Sequence, residues 1–290
     1  MKKIILYLRL IRITNWLKNI FVFVPLVFSK HLFNLDYFYK AVIAFLIFSF
    51  ASSLVYVFND IVDVERDRVH PVKKNRPLAA NLLSLQEAKI ILIILSLLTI
   101  TLCITIWNEF VYVVFIYILI NIFYSLYLKN IVIVDVFCIA AGFMLRVIGG
   151  ALIISVYISN WLILTTLFLS LFLAIMKRRL EFISYQKIEM QREVLNKYTL
   201  NFIDQMVSLT SAGVVISYAL YTVASRTILL FGTEKLIYTT IFVLFGIFRY
   251  MYIAFKENKG ENVIEVLLID KPMIFNLLLY IVTTLLIIYF

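Results

Sequence analysis

The chain has 290 residues, of which 63% are hydrophobic and only 15% charged, and its mean hydropathy is +1.00. A soluble domain carries roughly one quarter charged residues, so this composition excludes an ordinary soluble protein and indicates a membrane protein. The net charge of +10 would suit a nucleic-acid partner, but the basic residues recur loop by loop and form no single patch. No nucleic-acid partner is therefore predicted.

Nine apolar stretches are long enough to cross a hydrocarbon core, which takes about 20 residues as a helix. They predict an all-α polytopic protein with nine transmembrane helices in a bundle, at residues 13–29, 41–58, 88–107, 110–128, 132–154, 160–176, 206–225, 236–255 and 273–289. With nine spans most lysines and arginines fall on one side, which places the N-terminus in the cytoplasm and the C-terminus outside. No linker divides residues 1–290, so a single transmembrane domain is predicted.

Four oxygen-bearing side chains follow directly from the second span: Asn59, Asp60, Asp63 and Asp67. If the helix continues, three of them share one face at i, i+4 and i+8. Carboxylates stacked in this way repel each other, and Mg²⁺ held together with substrate phosphate oxygens would offset the repulsion. We therefore predict all four as metal ligands. The alternative is a solvated helix end that Arg66 and Arg68 neutralise.

A basic turn comes next and contains Lys73 and Arg76. Cations beside carboxylates suit a polyphosphate, with Arg76 able to hold it through two hydrogen bonds. The alternative is a loop that anchors to lipid headgroups. Pro71 and Pro77 predict a loop over residues 70–83, which ends at a capping box formed by Ser84 and Glu87.

A further group of polar residues lies before and within the fifth span: Tyr124, Lys129, Asp135 and Arg146. Asp135 and Arg146 are three helical turns apart and must face a protein interior or a wet cavity. They are functional candidates, or else a structural pair bridged through other helices. Gly142, Gly149 and Gly150 would let a neighbouring helix or a ligand approach that face closely.

The exit of the sixth span carries a third charged group: Lys177, Arg178, Arg179 and Glu181. The three cations suit a phosphate, or they anchor the helix at the membrane surface. Lys18, in the first span, has the same two interpretations.

The motif Asn59-Asp60-x-x-Asp63-x-x-x-Asp67 followed by Arg76-Pro77-Leu78 resembles the first signature of the UbiA superfamily of intramembrane prenyltransferases. In most members a second Asp-rich motif follows the sixth span. Here that loop offers the basic group of Lys177 to Arg179 and only a loose pair, Glu189 and Glu193. The chain is more similar to the decaprenyl-phosphate phosphoribosyltransferase branch, through residues that include Lys18, Tyr124, Lys129, Asp135, Arg146 and Asp270.

The resemblance implies a pentosyltransferase of the bacterial cytoplasmic membrane that serves envelope glycans. Its substrates would be phosphoribosyl pyrophosphate and a polyprenyl phosphate, its cofactor Mg²⁺, and its catalytic residues Asn59, Asp63, Asp67 and Asp135. The substrate-binding residues would be Lys18, Lys73, Arg76, Tyr124, Lys129, Arg146, Lys177, Arg178, Arg179 and Glu181. A homo-oligomer is left open. The competing functions are an aromatic prenyltransferase that uses an isoprenyl diphosphate and, from another class, a membrane transporter gated by Asp135 and Arg146.

Overall fold

The computed structural model describes residues 2–70, 72–106, 108–185, 197–257, 260, 266–267 and 269–290. Within these residues the chain forms helices and no β-strand, which confirms the predicted all-α class. The α-helices are α1 (Lys2–Leu10), α2 (Val24–Phe28), α3 (Leu35–Val62), α4 (Val64–Val69), α5 (Leu85–Ile106), α6 (Phe110–Leu126), α7 (Val134–Ile153), α8 (Asn160–Tyr185), α9 (Leu200–Val223), α10 (Ser225–Phe231), α11 (Thr240–Lys256) and α12 (Lys271–Tyr289). The 3₁₀ helices are Ile13–Phe23, Lys73–Asn75, Leu128–Asn130 and Lys235–Thr239.

Seven helices of the described chain are long and apolar enough to cross a membrane: Leu35–Val62, Leu85–Ile106, Val134–Ile153, Asn160–Ser184, Leu200–Val223, Lys235–Lys256 and Lys271–Tyr289. An eighth candidate is the pair Lys3–Leu10 and Ile13–Phe28, whose halves meet at 44°. Helix α6 is apolar but has only 17 residues, at the short limit for a span. These segments coincide with the predicted stretches, while the count of nine and the side on which each terminus lies stay predictions.

One compact unit comprises residues 1–26, 34–131 and 145–156. Helix α3 is its central element, because it packs on α5, on α6 and on the 3₁₀ helix Ile13–Phe23. Asn34 caps α3 by accepting a hydrogen bond from the backbone N–H of Asp36 (3.1 Å). Leu10, Leu54 and Leu83 belong to the buried apolar cluster that joins α1, α3 and the loop before α5.

A second compact unit comprises residues 27–33, 132–144 and 157–290, so the single domain over 1–290 stays a prediction. Its core forms mainly where α8 packs on α9, around Phe172, Met176 and Ile203. Asp270 begins α12: its Oδ1 accepts from the N–H of Met273 (3.0 Å), and Arg249 holds both of its oxygens (3.0 and 2.8 Å). The N-cap of α12 is thereby tied to α11.

The predicted capping box is confirmed at the start of α5. The backbone N–H of Ser84 donates to Glu87 Oε2 (2.8 Å), and the N–H of Glu87 donates to Ser84 Oγ (3.2 Å). Lys3 and Tyr7 of α1 also donate to Glu87 Oε1 (2.8 and 3.0 Å), so the cap holds the N-terminal helix as well. The predicted loop over 70–83 contains one 3₁₀ turn, Lys73–Asn75, in its described part.

Candidate functional site

The acidic motif begins inside α3 and continues beyond its end. Helix α3 stops at Val62, Asp63 leaves the helical conformation (φ −93°, ψ 6°), and α4 resumes at Val64. The N–H of Asp63 still donates to the carbonyl of Asn59 (2.9 Å), and that of Asp67 donates to the carbonyl of Asp63 (2.8 Å). The helix is therefore broken, contrary to the assumption made from the sequence, but the i to i+4 hydrogen-bonding order of the motif is kept.

Two arginines neutralise the buried carboxylates of this motif. Asp60 is only 2% exposed and accepts from Arg12 and from Arg76, whose Nη1 lies 3.1 Å from Asp60 Oδ1. The same Nη1 of Arg76 pairs with Asp67, which is also buried. Removing either arginine would leave a buried carboxylate without its partner, which is strongly destabilising.

Arg12 reaches Asp60 from the junction between α1 and the first 3₁₀ helix. Its backbone is left-handed (φ 53°), an uncommon conformation for a residue with a side chain. The junction is fixed by Ser53 Oγ, which donates to the carbonyl of Ile11 (2.9 Å), and Trp16 Nε1 donates to the same hydroxyl (2.9 Å). The guanidinium of Arg12 is thereby held against Asp60 by the packing of α3.

Lys129 is the cation that faces Asp63. Its Nζ lies 2.8 Å from both carboxylate oxygens, and both side chains are largely buried. The alternative prediction was that Arg66 and Arg68 neutralise the motif. In the structure Arg68 instead pairs with Glu65 (2.7 Å) and with Asn81 (2.9 Å). The three aspartates of the motif are thus offset by three cations from outside it, Arg12, Arg76 and Lys129.

The donor set of the motif fits Mg²⁺ in kind, because carboxylate and amide oxygens are the ligands this ion prefers. Within the described residues no three His, Cys, Asp or Glu side chains stand close enough to hold an ion, and Arg12, Arg76 and Lys129 occupy the carboxylates instead. The assignment of Asn59, Asp60, Asp63 and Asp67 as metal ligands stays a prediction. It requires at least one of those cations to give way.

Arg146 of α7 lies against the first 3₁₀ helix. Its Nε donates to Asn19 Oδ1 (2.7 Å) and its Nη2 to the hydroxyl of Tyr117 (3.0 Å), whose ring centroid lies 4.8 Å from the guanidinium. Asn19 in turn donates to Ser49 Oγ of α3 (3.0 Å). Lys18 precedes Asn19 and is partly buried. The predicted close approach is present here, since a Cβ added at Gly150 would stand 2.1 Å from a backbone oxygen of this 3₁₀ helix.

Asp135 and Arg178 form a buried ion pair in the second unit. Asp135 is fully buried at the start of α7, and its Oδ2 accepts from Arg178 Nε of α8 (2.6 Å). Arg178 also pairs with Glu181, one turn later. Lys177 is the more exposed cation of this group, and its Nζ lies 3.9 Å from Glu181. Tyr198 donates to Asp135 Oδ1 (3.0 Å), which completes the network.

Arg179 points into a different part of the same unit. Its Nε lies 2.7 Å from Asp204 of α9, and its Nη1 donates to the carbonyl of Ala254 (3.3 Å). The guanidinium stacks 3.6 Å from the centroid of Phe255. These contacts join α8, α9 and α11, so Arg179 has a clear structural task whether or not it also meets a substrate.

The two remaining predicted residues of the first unit are both partly buried. Lys73 is partly buried in the 3₁₀ turn, where its N–H donates to His70 Nδ1 (3.2 Å), and Tyr124 is partly buried near the end of α6. Glu189 and Glu193 lie outside the described residues.

Four contributors were missed from the sequence: Arg12, Tyr117, Tyr198 and Asp204. Arg12 lies 48 positions before Asp60, and Tyr198 lies 63 positions after Asp135. No local spacing could have linked them. The available signal was weaker: an arginine or a tyrosine beside an apolar span needs a polar partner when it is buried.

Long apolar helices with buried charged networks near their ends define a polytopic membrane protein with specialised polar sites. The chain matches the UbiA prenyltransferase family over residues 20–284, and it belongs to that family.

Relatives within this family include decaprenyl-phosphate phosphoribosyltransferases. The one from Corynebacterium glutamicum is 32% identical over 219 residues, which cover 74% of this chain and 66% of that protein. The one from Mycolicibacterium smegmatis is 29% identical, with coverages of 74% and 69%. The chain therefore spans about two thirds of the length of these curated relatives.

Solved structures share the fold. A UbiA homologue from Archaeoglobus fulgidus bound to GPP and Mg²⁺ aligns with a TM-score of 0.72 at 20% identity, covering 98% of this chain and all of that one. A digeranylgeranylglyceryl phosphate synthase aligns with a TM-score of 0.65 at 23% identity, covering 98% and 99%. At these identities the likeness establishes the fold.

Proposed function

We propose that this protein transfers 5-phosphoribose from phosphoribosyl pyrophosphate to a polyprenyl phosphate, with Mg²⁺, at the cytoplasmic face of a bacterial inner membrane. The observation that carries the proposal is the cluster of Asp60, Asp63 and Asp67 with its paired cations, which offers both the anionic groups for a metal and the cationic groups for a diphosphate. The names of the relatives from Corynebacterium and Mycolicibacterium suggest which diphosphate and which acceptor.

The reaction is a substitution at C1 of ribose. The bond from C1 to the diphosphate oxygen breaks, pyrophosphate leaves with the electron pair, and an oxygen of the lipid phosphate forms the new bond to C1. Charge therefore develops on the leaving diphosphate. Bound Mg²⁺ would withdraw that charge. The Mg²⁺ ligands would be Asn59, Asp60, Asp63 and Asp67. Arg76 and Lys129 would then move from their carboxylate partners to the diphosphate oxygens.

No strong general base is needed at this site. The lipid phosphate has a second pKa of about 6 and is largely ionised at neutral pH, so its oxygen can attack without losing a proton. Asp60 and Asp67 are ion-paired with arginines, so in this scheme they act as metal ligands and charge partners and not as general bases. In this respect the lipid phosphate differs from the acceptors of aromatic prenyltransferases, which attack through carbon.

The 5-phosphate of phosphoribosyl pyrophosphate is a separate anionic group, which cations can bind without a metal. We assign it to the basic group on α8, with Lys177 as the direct contact because its side chain is 43% exposed. Arg178 and Arg179 are buried on carboxylates, so their part is to fix the end of α8 from which Lys177 projects. Lys18 and Arg146 are assigned to the substrate in the first unit. Lys73, six residues after Asp67, and Tyr124, five residues before Lys129, are assigned to the same substrate.

The test is direct. The purified protein in lipid nanodiscs is incubated with Mg²⁺, phosphoribosyl pyrophosphate and a polyprenyl phosphate, and pyrophosphate release is followed together with the mass of the lipid product. Both signals should appear and EDTA should abolish them. Consumption of an isoprenyl diphosphate with an aromatic acceptor, and none of phosphoribosyl pyrophosphate, would replace the proposal by the ordinary prenyltransferase. Silence with both donors would favour the transporter.

A further inference from the structure

The first turn of α7 begins from a strained residue. Ile133 has a left-handed backbone (φ 70°), which a β-branched side chain strongly disfavours. Its carbonyl accepts from the N–H groups of Val136 and Phe137 (3.1 Å each), so Ile133 occupies the cap position of the helix. Such strain persists only where the surroundings hold the backbone in place.

The hydroxyl of Tyr198 supplies that hold. It accepts from the N–H of Ile133 (2.7 Å) and donates to Asp135 Oδ1 (3.0 Å), so one buried phenol spans the cap and the carboxylate two residues later. Burial raises the pKa of the Tyr198 hydroxyl to about 12, and the group stays protonated and able to donate at neutral pH. With one donated and one accepted bond, the hydroxyl is well satisfied.

Tyr198 itself is anchored independently of α7. It is 4% exposed, its ring stacks on Phe202 of α9 with centroids 6.2 Å apart, and the next residue, Thr199, caps α9 by accepting from the N–H of Phe202 (3.2 Å). The position of the hydroxyl is therefore set by the start of α9. Asp135 links this hydroxyl to α8, because Arg178 Nε lies 2.6 Å from the other carboxylate oxygen.

The geometry points to Tyr198 as a positioning residue that fixes the rotamer of Asp135, and through it Arg178 and the phosphate-binding end of α8. This role rests on the proposed function. Because Asp135 has two oxygens with one committed partner each, loss of the hydroxyl frees one oxygen and lets the carboxylate turn. The bond from Arg178 Nε to Asp135 then loses its fixed geometry, and the pair of Arg178 with Glu181 lies within α8 and does not tie that helix to α7. The cationic group on α8 keeps its charge but loses its fixed direction.

The central variant is Tyr198→Phe, which removes one oxygen atom and keeps the ring. The matched control is Tyr218→Phe, which removes the hydroxyl of an equally buried tyrosine inside α9, where it bonds Thr239 Oγ1 (2.6 Å). Tyr218 lies 18 residues beyond the start of α9, about 27 Å along the helix. Any effect shared by both variants is a general cost of losing a buried hydroxyl.

Two measurements decide the role. The KM for phosphoribosyl pyrophosphate should rise about ten-fold in Tyr198→Phe and stay within about two-fold in Tyr218→Phe. A lower folded fraction cannot change KM, so an unchanged KM in Tyr198→Phe overturns the positioning role. Hydrogen exchange of the peptide that covers residues 131–137 should quicken in Tyr198→Phe alone, because the N–H of Ile133 loses its acceptor. Unchanged exchange overturns the structural link itself.

A rescue variant separates the backbone from the carboxylate. Glycine adopts the left-handed conformation without strain, so Ile133→Gly added to Tyr198→Phe should restore thermal stability. The KM should remain raised, because the bond to Asp135 is still missing. Recovery of KM in the double variant would mean that Tyr198 acts only on the backbone, and would overturn the role at Asp135. If the wild-type protein does not use phosphoribosyl pyrophosphate, the proposed function and the kinetic role fail together, while the exchange result still decides whether Tyr198 holds α7.

Discussion

Replacing Gly150 with alanine should separate α7 from the first 3₁₀ helix. An added Cβ would stand 2.1 Å from the carbonyl oxygen of Val22 and 2.9 Å from its carbonyl carbon. Real Cβ contacts are essentially never closer than 3.0 Å, so the two backbones must part by about 1 Å. A side chain could rotate away from the new methyl group, but a backbone carbonyl cannot.

The expected cost follows from two opposing effects. Overpacking a tight contact costs about 1–3 kcal/mol, and the clash with backbone places this case at the upper end. Alanine in place of glycine stabilises a helix interior by about 1 kcal/mol. The net loss is therefore about 2 kcal/mol, which for a chain of this length lowers Tm by about 4 °C. Arg146 lies one turn away on the same face of α7, so its bond to Asn19 should lengthen as well.

The assay is a thermal unfolding curve of the purified protein in one detergent. Gly246→Ala in α11 is the control, because its nearest atom outside the helix, Asn276 Nδ2, lies 3.4 Å from the added Cβ. That variant should unfold at the wild-type temperature or slightly above it. A Gly150→Ala protein as stable as Gly246→Ala would refute the close approach of α7 to the first 3₁₀ helix.

Three further expectations concern charged groups. Asp63→Asn should lower pyrophosphate release by about 100-fold, and full activity would remove Asp63 from the metal assignment. Lys177→Met should raise the KM for phosphoribosyl pyrophosphate with little change in Tm, because the side chain is exposed. Arg178→Met should instead cost about 3–5 kcal/mol of stability, because it leaves the buried Asp135 without its cation. Equal Tm values for the two variants would contradict this division of roles. The hydrogen bond from Arg249 holds the pKa of Asp270 below its ordinary 3.8, so ionised Asp270 stabilises the fold above that pH and the contribution is lost as pH falls through the lower folded pKa. The Tm difference between wild type and Asp270→Asn should thus be present at neutral pH and shrink below pH 3.8, and a difference independent of pH would exclude the ion pair as its cause.

Hydropathy was sufficient to locate the long helices, because apolar length is a local property of the sequence. The capping box of Ser84 and Glu87 was predictable for the same reason: its two partners are three residues apart. The break of α3 at Asp63 was not predictable in this way. The residues on both sides keep helical hydrogen bonds, and nothing such as proline or glycine marks the position.

The candidate site was predicted as a set of residues but not as a set of pairs. The repulsion within the acidic motif was evident from the sequence, and Arg76 lies only nine positions from Asp67. The other two partners, Arg12 and Lys129, lie 48 and 66 positions from the carboxylates they bind. Arg178 and Arg179 are adjacent in sequence, and their shared charge suggested one common ligand. In the structure they bind Asp135 and Asp204 respectively, because neighbouring residues on a helix point about 100° apart.

The length of α3 has a consequence for where two chemically unlike substrates could meet. Its 28 residues span about 42 Å, whereas a hydrocarbon core is about 30 Å thick. If the helix runs along the membrane normal, about 12 Å of it lies in the headgroup layers, and the carboxylates stand on the polar end that begins at Asn59. That depth is within reach of water-borne solutes and is also where the phosphate of an embedded polyprenyl chain resides. A helix longer than the hydrocarbon core would let a sugar phosphate from water and the headgroup of an embedded lipid meet at its end. The sugar phosphate would not have to enter the hydrocarbon, and the lipid chain would not have to leave it.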